Sequence, residues 1–464
     1  MRSATPSGEP VSSKGTPLNS PRRILEAWIV IVTLTALGGV IAVLAIGGRP
    51  DPAALRAVAP LLDGAWRFHI GDDPRWADAD VDDSGWETMD LTAPAGSNDG
   101  DVGLPNYAAG WMAHGHPGYC GYAWYRRTVT VPAGDRAWDL LGPTAVDHGY
   151  ELYWNGMLLG GSGRLGASPR VVGTRPMIFA LPADAAGTRG VLAIRVYMQP
   201  GYGGGNTGGG IHVAPTLAPR PESHALYRVE WWRTIAGYIV ELIEPLAMFA
   251  LVGLAVAVRP RSSEPRFIPF ACIALVLWSA KRLDNAIASW TDLMSLPTYV
   301  WLTNVLWTPL SLTAWTLAWN RWPLRTSRAI DAATVMLGVV GVVGGAMNAI
   351  AMTRISRLGL LALLALIVVR IVRGGPMRNL AIATMASIMV AHFAGELRSI
   401  GVTDIWFPFG IGVTLAQYAY GVAIPLLALL VVRTVEWQSA NPAPHGRLSV
   451  QIVAADLPHM PTHG

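Results

Sequence analysis

Charged residues are scarce in this chain. Asp, Glu, Lys and Arg make up 14% of its 464 residues, and hydrophobic residues make up 52%, whereas a soluble domain is about 25% charged. The shortage falls mainly in the second half, where apolar runs recur about every thirty residues, as in helical proteins that cross a membrane several times. The composition therefore excludes an ordinary soluble enzyme.

Cysteine is almost absent as well. The chain has two cysteines, Cys120 and Cys272, which are too few for a disulfide framework. The polar stretch around Cys120 must therefore be held together by its own hydrophobic core, for which it is long enough.

A strongly basic surface is also missing, although the formal net charge is +4. The arginines cluster in short loops between apolar runs, where basic residues orient a membrane protein, and not on one face of a soluble domain. We therefore predict a lipid bilayer as the partner of this chain and no nucleic acid.

The amino-terminal part is predicted to be a cytosolic tail followed by an anchor helix. Residues 1–23 are rich in Ser, Pro and Gly and are expected to be disordered. Residues 24–47 carry one charge, Glu26, and at 1.5 Å per residue they are long enough to cross a bilayer. A cleaved signal peptide is the alternative, since Val43-Leu44-Ala45 resembles a cleavage site. Either interpretation places the next residues outside the cytosol.

Residues 50–225 form a polar segment with the pattern of a β domain. Runs such as 124–131, 150–154 and 191–196 alternate in polarity, and turn sequences such as Asn155-Gly156 separate them. Many short strands with no long amphipathic helix between them predict an all-β sandwich of the jelly-roll type.

The same segment resembles the sugar-binding domain of glycoside hydrolase family 2. The stretches that carry the resemblance, in the family's order and spacing, are Trp66-Arg67-Phe68, 71–78, 82–86, 124–127, Val131-Pro132, 150–156 and the glycine run 203–211. The resemblance implies a galactose-binding-like fold. It does not imply glycosidase activity, because the catalytic carboxylates of those hydrolases lie on a separate barrel, and nothing of that size and polarity follows here. We predict no enzyme activity, no cofactor and no metal.

Seven further apolar runs are candidate membrane spans. They cover residues 234–258, 266–283, 298–320, 329–352, 357–373, 377–399 and 408–432. Arginines concentrate in every second connection, with Arg354 and Arg357 as exceptions. The positive-inside rule makes the Arg-rich connections cytosolic, so both termini lie inside. The predicted fold is a membrane α-helical bundle, with one anchor helix plus seven transmembrane helices (234–433), an inserted jelly-roll sandwich and a short cytosolic tail (434–464).

This layout is similar to that of bacterial seven-transmembrane receptors with diverse intracellular signalling modules. Those receptors usually continue into a cytosolic kinase, cyclase or phosphatase domain, whereas about thirty residues follow Arg433 here, too few for a catalytic domain. The resemblance therefore implies a receptor whose output passes through a separate cytosolic or membrane signalling partner.

Aromatic and polar residues in the loops of the β domain are the candidate ligand contacts, because flat rings with a few hydrogen-bonding neighbours suit sugars and other small polar ligands. These residues are Asn98, Asp99, Asp101, Tyr107, Trp111, His114, His116, Tyr119 and Asn206. The alternative is that many of the aromatic residues belong to the core of the sandwich. Two neighbouring histidines alone are too few to predict a metal site.

Ionisable residues within the spans form the second candidate set, because an unpaired charge in a bilayer costs several kcal/mol. They are Glu241, Glu244, Lys281, Arg282, Asp284, His392, Glu396 and Arg398, and the predicted topology places all of them in the outer half of the membrane. We expect the glutamates of the first span to pair with basic residues of this set in a polar network. Ligand binding would shift such a network. Static salt bridges that fix helix packing are the alternative.

Together these observations predict a receptor-like protein of the bacterial inner membrane. Its periplasmic sandwich would bind a carbohydrate or another small ligand, and its helices would relay the bound state to the cytosol. The alternative is a non-signalling, glycan-binding accessory subunit of an envelope polysaccharide or transport system.

Overall fold

The computed structural model describes residues 27–29, 59–99, 103–166, 169–171, 175–200, 207–258, 267–291, 293–322, 326–374, 376–406 and 412–440. Within them a β domain comes first and a helical domain follows. Of the predicted anchor at 24–47, residues 27–29 are described and are helical, and Trp28 is buried among the later helices. The predicted tail 1–23 and most of the predicted tail 434–464 lie outside the described residues.

The larger sheet of the β domain has six antiparallel strands in the order β2-β1-β3-β9-β6-β7. These strands are β1 (Ala65–Ile70), β2 (Glu87–Asp90), β3 (Gly121–Thr130), β6 (Gly149–Trp154), β7 (Met157–Ser162) and β9 (Arg189–Met198). Because successive side chains of a strand alternate between faces, Tyr125 of β3 lies in the main core and Trp124 on the opposite face.

That opposite face is covered by residues 72–86. The buried guanidinium of Arg126 holds this segment down, with Nε 2.9 Å from Asp83 and Nη1 2.8 Å from the carbonyl of Asp78. Arg195 binds both oxygens of Asp72, at 2.7 and 2.5 Å. Charged side chains on the outward face of the strands therefore serve as attachment points within the domain.

A smaller sheet closes the core from the other side. It consists of β4 (Trp138–Leu141), β8 (Ile178–Ala180) and β11 (Thr216–Pro219), while β5 (Val146–Asp147) pairs with β10 (Gly210–Ile211). Leu140, Phe179 and Leu217 of this side belong to the same hydrophobic core as Tyr150 and Ile194 of the larger sheet. The two sheets thus pack face to face, and each fully buried Leu or Phe contributes about 1.5–3 kcal/mol to their association.

The helical domain has a helix at each of the seven predicted spans. The helices are α1 (Arg220–Val258), α2 (Phe267–Trp290), α3 (Leu296–Trp301), a π-helical stretch (Leu302–Trp307), α4 (Thr308–Asn320), α5 (Arg328–Ala346), α6 (Ile350–Gly374), α7 (Arg378–His392), α8 (Ala394–Ser399) and α9 (Leu415–Ala440). A short hairpin of β12 (Ile405–Trp406) and β13 (Val413–Thr414) precedes α9.

The boundaries of several of these helices differ from the prediction; for example, α2 continues to Trp290 and α6 begins at Ile350. The first helix begins at Arg220, inside the predicted β segment. The predicted span 329–352 crosses a turn: α5 ends at Ala346, and Asn348 adopts a positive φ of 51°, a conformation that ends helices. The last predicted span starts too early, since β13 lies at its beginning, and α9 continues to Ala440.

Within the described residues, four helices are long and apolar enough to cross a membrane. Their apolar parts are Glu241–Val258, Arg328–Ala346, Ile350–Gly374 and Leu415–Trp437. Met336 and Val339 of α5 and Leu358 of α6 are all more than half exposed, which is costly in water and expected of a surface that meets lipid. Length and composition therefore support association with a membrane.

Glycines bring α5 close to its neighbours. A Cβ on Gly341 would lie 2.6 Å from Ser356 Oγ of α6, and one on Gly345 would meet the backbone carbonyl of Asn304, 2.9 Å from its carbon atom. The spacing Gly341-x-x-x-Gly345 is typical of close contacts between membrane helices. Here it serves contacts within one bundle.

We predict that Gly345→Ala lowers the thermal unfolding midpoint of the full chain in detergent. A backbone carbonyl cannot rotate away from the new methyl group, so overpacking of about 1–3 kcal/mol exceeds the gain of about 1 kcal/mol from alanine in a helix. Gly253→Ala in α1 is the matched control, because nothing lies within 4 Å of its Cβ position. A midpoint that is unchanged or raised in Gly345→Ala would contradict the close packing.

Candidate functional site

Two loops close one end of the β domain. The amide of Ala108 donates to the carbonyl of His212 at 2.7 Å, and the amide of Trp111 donates to the carbonyl of Gly209 at 2.9 Å. Gly209 has φ 92°, and a Cβ there would collide with the Trp111 indole. Glycine is therefore required at this position by the backbone conformation and by the close approach of an aromatic ring.

An aspartate–histidine pair lies between these loops. Nε2 of His212 is 3.0 Å from Oδ2 of Asp147, and Nδ1 is 2.8 Å from the carbonyl oxygen of Ala108. Both ring nitrogens of His212 therefore have an oxygen within hydrogen-bond distance. The ring of Tyr107 stacks on the imidazole at 4.4 Å with an angle of 5°.

The carboxylate of Asp147 is the acceptor in this site. Burial would raise its pKa, but in acid the hydrogen bond and charge of His212, the charge of the then protonated His148 and the amide of Gly209 together hold the pKa at about 2. Both hydrogen bonds use Oδ2, and the side chain is 22% exposed. Asp147 is thus ionised at neutral pH, and its Oδ1 makes no hydrogen bond within the described residues.

His148 beside it is neutral. Burial lowers the pKa of this imidazole to about 4, although the charge of Asp147 acts in the opposite direction. Nδ1 of His148 accepts a hydrogen bond from the amide of Gln199 at 3.1 Å, so the proton resides on Nε2.

The predicted ligand residues around this site have different surroundings. Trp111 is fully buried, and its Nε1 donates to the carbonyl of Tyr119 at 3.0 Å, so its ring lies in the core and not on an open surface. His114 bonds the carbonyl of Gly110 and His116 bonds Glu87, each at 2.9 Å. The two histidines therefore do not converge on one point.

The remaining predicted residues shape the loops or cannot be placed. The Tyr119 hydroxyl donates to the carbonyl of Tyr122 at 2.6 Å. Asn98 forms an isolated β-bridge with Pro105, and Asp99 accepts from the amide of Gly103 at 2.6 Å. Asp101 and Asn206 lie outside the described residues.

Of the residues at this site, the sequence pattern had indicated Tyr107 as a candidate ligand contact. It had not indicated Asp147, His148 or His212. His212 follows the glycine run directly, which is a usable signal for a residue at a loop mouth. The pairing of His212 with Asp147 joins positions 65 residues apart, and no local pattern predicts it.

The loops on this side of the β domain contact the helices. Leu104 packs against Trp290 at the end of α2, and Nη1 of Arg175 donates to the carbonyl of Trp290 at 2.9 Å. The amide of Leu296, where α3 begins, donates to the carbonyl of Val171 at 3.1 Å. The connection between α2 and α3 is therefore bound to the β domain.

The first turns of α1 are also part of the β domain. β11 ends at Pro219 and α1 begins at the next residue, where Arg220 Nε lies 3.2 Å from both oxygens of the buried Asp139. Three turns further on, Thr144 Oγ1 donates to Oε2 of the buried Glu230 at 2.7 Å. No flexible linker separates the sheet from the helix.

Glu241 and Glu244 of α1 meet Arg282 of α2. Arg282 Nη1 is 3.0 Å from Glu241 Oε1, and its Nε is 3.1 Å from Glu244 Oε2. Gln417 of α9 donates to the same oxygen of Glu241 at 2.8 Å, and Trp278 donates to Glu244 at 3.3 Å. We call these five residues the glutamate network; it joins three helices.

His392 lies next to the glutamate network, across the ring of Trp278 at 4.3 Å. An indole N–H can only donate, so Trp315 donates to the hydroxyl of Tyr420 at 3.2 Å. The same hydroxyl forms a hydrogen bond with His392 Nε2 at 2.9 Å. Lys281 contacts the Trp278 ring, with Nζ 4.6 Å from its centre.

The other predicted ionisable residues have separate partners. Arg357 Nε and Nη2 form a two-pronged pair with Glu396 at 2.5 and 2.8 Å, which explains how an arginine near the beginning of α6 is tolerated. The remaining two contacts join Arg398 to Asp404 at 2.9 Å and Asp284 to Trp307 at 3.1 Å. The predicted set thus divides into members of the glutamate network, two residues that contact its Trp278 (Lys281 and His392), and three residues with separate local partners.

Comparison with known proteins gives matches to solved structures. No family model matches the chain, and no curated protein matches it. A Bacteroides uniformis β-glucuronidase is 23% identical over 34% of this chain and 17% of its own, with a TM-score of 0.25. A glycosyl hydrolase family 2 member from Bacteroides cellulosilyticus DSM 14838 is 21% identical over 35% of this chain and 20% of its own, with a TM-score of 0.24. A Faecalibacterium prausnitzii β-glucuronidase is 17% identical over 35% of this chain and 31% of its own, with a TM-score of 0.24.

Each match therefore spans less than a third of the length of the enzyme. At these identities and TM-scores no functional argument rests on the matches, and the chain's own geometry has to supply it.

We predict that Arg282→Met destabilises the helical domain by about 3–5 kcal/mol, because two buried carboxylates lose their shared counter-charge. The measurement is the unfolding midpoint of the full chain in detergent at neutral pH. Arg398→Met is the matched control, since 58% of the Arg398 side chain is accessible, and ion pairs at the surface are worth about 0–1 kcal/mol. Equal shifts in the two variants would exclude a central role for Arg282.

We also predict that acid destabilises the β domain through His148. Its pKa is about 4 in the folded protein and about 6.5 in an unfolded chain, so the unfolded chain binds the extra proton between these values. The contribution of His148 to the free energy of unfolding is therefore largest above pH 6.5, and it falls by about 3 kcal/mol as the pH approaches 4. In His148→Asn, the asparagine can still accept the hydrogen bond from the Gln199 amide, and the unfolding midpoint should depend less on pH over this range. His114→Asn, at an exposed site, should keep the wild-type slope; the same slope in His148→Asn would refute the assignment.

Proposed function

We propose that this chain is a receptor-like protein of the bacterial inner membrane. In this proposal the β domain is a jelly roll outside the cytosol that binds a carbohydrate or another small polar ligand. The helices, with eight crossings in all and both termini in the cytosol, pass the bound state to a separate signalling partner. The protein acts by binding and not by turnover.

The observation that carries the proposal is the unbroken joint between the β domain and α1. Arg220, on the helix, pairs with a buried aspartate of the sheet, and Glu230 bonds Thr144 further along. The same helix then contributes Glu241 and Glu244 to the glutamate network. A change at the sheet therefore has a rigid path to the helices.

The glutamate network has the property that a relay requires. Oε2 of Glu241 and Nδ1 of His392 are buried and make no hydrogen bond within the described residues. A buried polar atom without a partner costs about 1–3 kcal/mol, so a second helix arrangement that satisfies these atoms would lie close in free energy. A ligand that favours one arrangement would then shift the population.

The ligand class follows from the chemistry of the loop end. An ionised carboxylate with an unused oxygen accepts hydroxyl hydrogen bonds, and an adjacent aromatic ring packs against the C–H face of a sugar. Asp147 and Tyr107 supply this combination at the mouth of the β domain. A neutral, hydroxyl-rich ligand fits it better than an anion, which the carboxylate would repel.

The binding test uses the full chain in lipid nanodiscs and a panel of neutral and acidic monosaccharides. We predict that a neutral sugar binds to the wild type and that Asp147→Asn weakens it by about 10–100-fold, since hydrogen bonds to charged groups contribute about 1.5–3 kcal/mol. Asp184→Asn, at an exposed turn of the same domain, should bind as the wild type does. If both variants bind the sugar equally well, the ligand does not contact Asp147.

The relay test measures hydrogen exchange of α1 and α2 with and without the sugar that binds. Thr144→Val removes the bond to Glu230 and keeps the shape of the side chain, so it should retain binding and lose most of the change in the helices. The matched control is Thr188→Val. The Thr188 hydroxyl bonds the carbonyl of Ala185, three residues away, so this variant should retain both sugar binding and the change in the helices. If the sugar binds to the wild type but hydrogen exchange in α1 and α2 does not change, the result would favour the alternative, a glycan-binding accessory subunit that does not signal.

A further inference from the structure

A cavity lined by polar and apolar residues lies inside the helical domain, apart from the glutamate network. It has a volume of about 140 Å³ and lies between the π-helical stretch, α4, α5 and α6. Its polar lining comes from Asn304, Thr308, Thr353, Ser356 and Arg357. Asn304 is exposed and marks the mouth, and Gly341 is part of the wall.

One residue of this lining is ionisable. Ser and Thr are common where membrane helices pack together, whereas an ionisable residue inside a membrane is costly and marks a candidate functional site; Arg357 is such a residue here. A π-helical stretch is also rare and is frequent at functional sites. Two independent features, the arginine and the π-helix, thus coincide at one cavity.

Hydrogen-bonding capacity remains unused around the cavity. Nε and Nη2 of Arg357 are occupied by Glu396 and by the carbonyl of His392, whereas Nη1 makes no hydrogen bond within the described residues. The side chains of Asn304 and Thr308 likewise make none among the residues that the structure describes. Ser356 donates its proton to the carbonyl of Leu337 at 2.7 Å, which leaves its oxygen free to accept.

The net charge at the cavity is zero, because Glu396 balances Arg357. A neutral ligand that both donates and accepts hydrogen bonds therefore fits better than an ion. Liquid water takes about 30 Å³ per molecule, so the cavity equals the space of about four or five waters. A compact polyol of three or four carbons matches both the volume and the hydrogen-bonding groups.

We propose that this cavity binds a small neutral polyol through Asn304, Thr308 and Nη1 of Arg357. The site is separate from Asp147 in the β domain and does not depend on the function proposed above.

The test measures binding of meso-erythritol to the full chain in lipid nanodiscs by saturation-transfer NMR. Thr308→Ile removes a hydroxyl and fills the cavity, and it should weaken binding by at least about tenfold, the equivalent of one lost hydrogen bond. Ser387→Ile is the matched control: its hydroxyl bonds the carbonyl of Ala383 within its own helix, so binding should be unchanged. Asn304→Leu, at the exposed mouth, replaces Thr308→Ile if that variant does not fold.

Three results would overturn the proposal. One is the absence of erythritol binding to the wild type. Another is equal binding by the cavity variant and by Ser387→Ile. The third is stronger binding of glycolate, a small carboxylate, since the site would then select charge over hydroxyl groups. Asp147→Asn should leave erythritol binding unchanged, which separates this site from the one in the β domain.

Discussion

Arg282 is the residue on which the helical domain depends. It lies between two carboxylates of α1 and supplies a counter-charge to both. Charges in such surroundings are tolerated when they are paired and hydrogen-bonded, and Gln417 and Trp278 provide the additional hydrogen bonds. The arrangement of three helices, α1, α2 and α9, is therefore fixed by electrostatics as well as by hydrophobic packing.

Helix α1 also belongs to the β domain, and it therefore links the two halves of the protein. At about 1.5 Å per residue, the 39 residues of α1 extend about 58 Å, more than a bilayer core of about 30 Å requires. The extra length is the part that packs against β4 and accepts a hydrogen bond from Thr144. The second attachment, through Trp290 and Leu296, holds the other side of the β domain to the α2–α3 connection. The β domain is therefore attached to the helical domain at two separate places.

The sites differ in how much of them the sequence revealed. Ionisable residues in apolar runs are conspicuous, because each needs a partner, so Glu241, Glu244 and Arg282 could be selected before their contacts were known. Which base each acid meets was not predictable, and Glu396 illustrates this: it pairs with Arg357, a residue noticed as an exception to the charge pattern of the loops. In the β domain, aromatic residues in a loop suggested ligand contacts, yet Trp111 fills the core while Tyr107 stacks on His212. Sequence cannot distinguish these two roles, because both place an aromatic ring after a turn.

The sequence by itself determined the order of the parts: a polar β segment, then apolar helices, each with its approximate position. Alternation in strands and apolar runs in helices are local patterns, and they are set by the solvent that each face or span meets. Only the tertiary structure decided that Asp147 meets His212, that one arginine serves two glutamates, and that α1 starts within the β domain. These features depend on distances between residues that are far apart in the chain, and they arise from packing and charge balance in three dimensions, which no local pattern records.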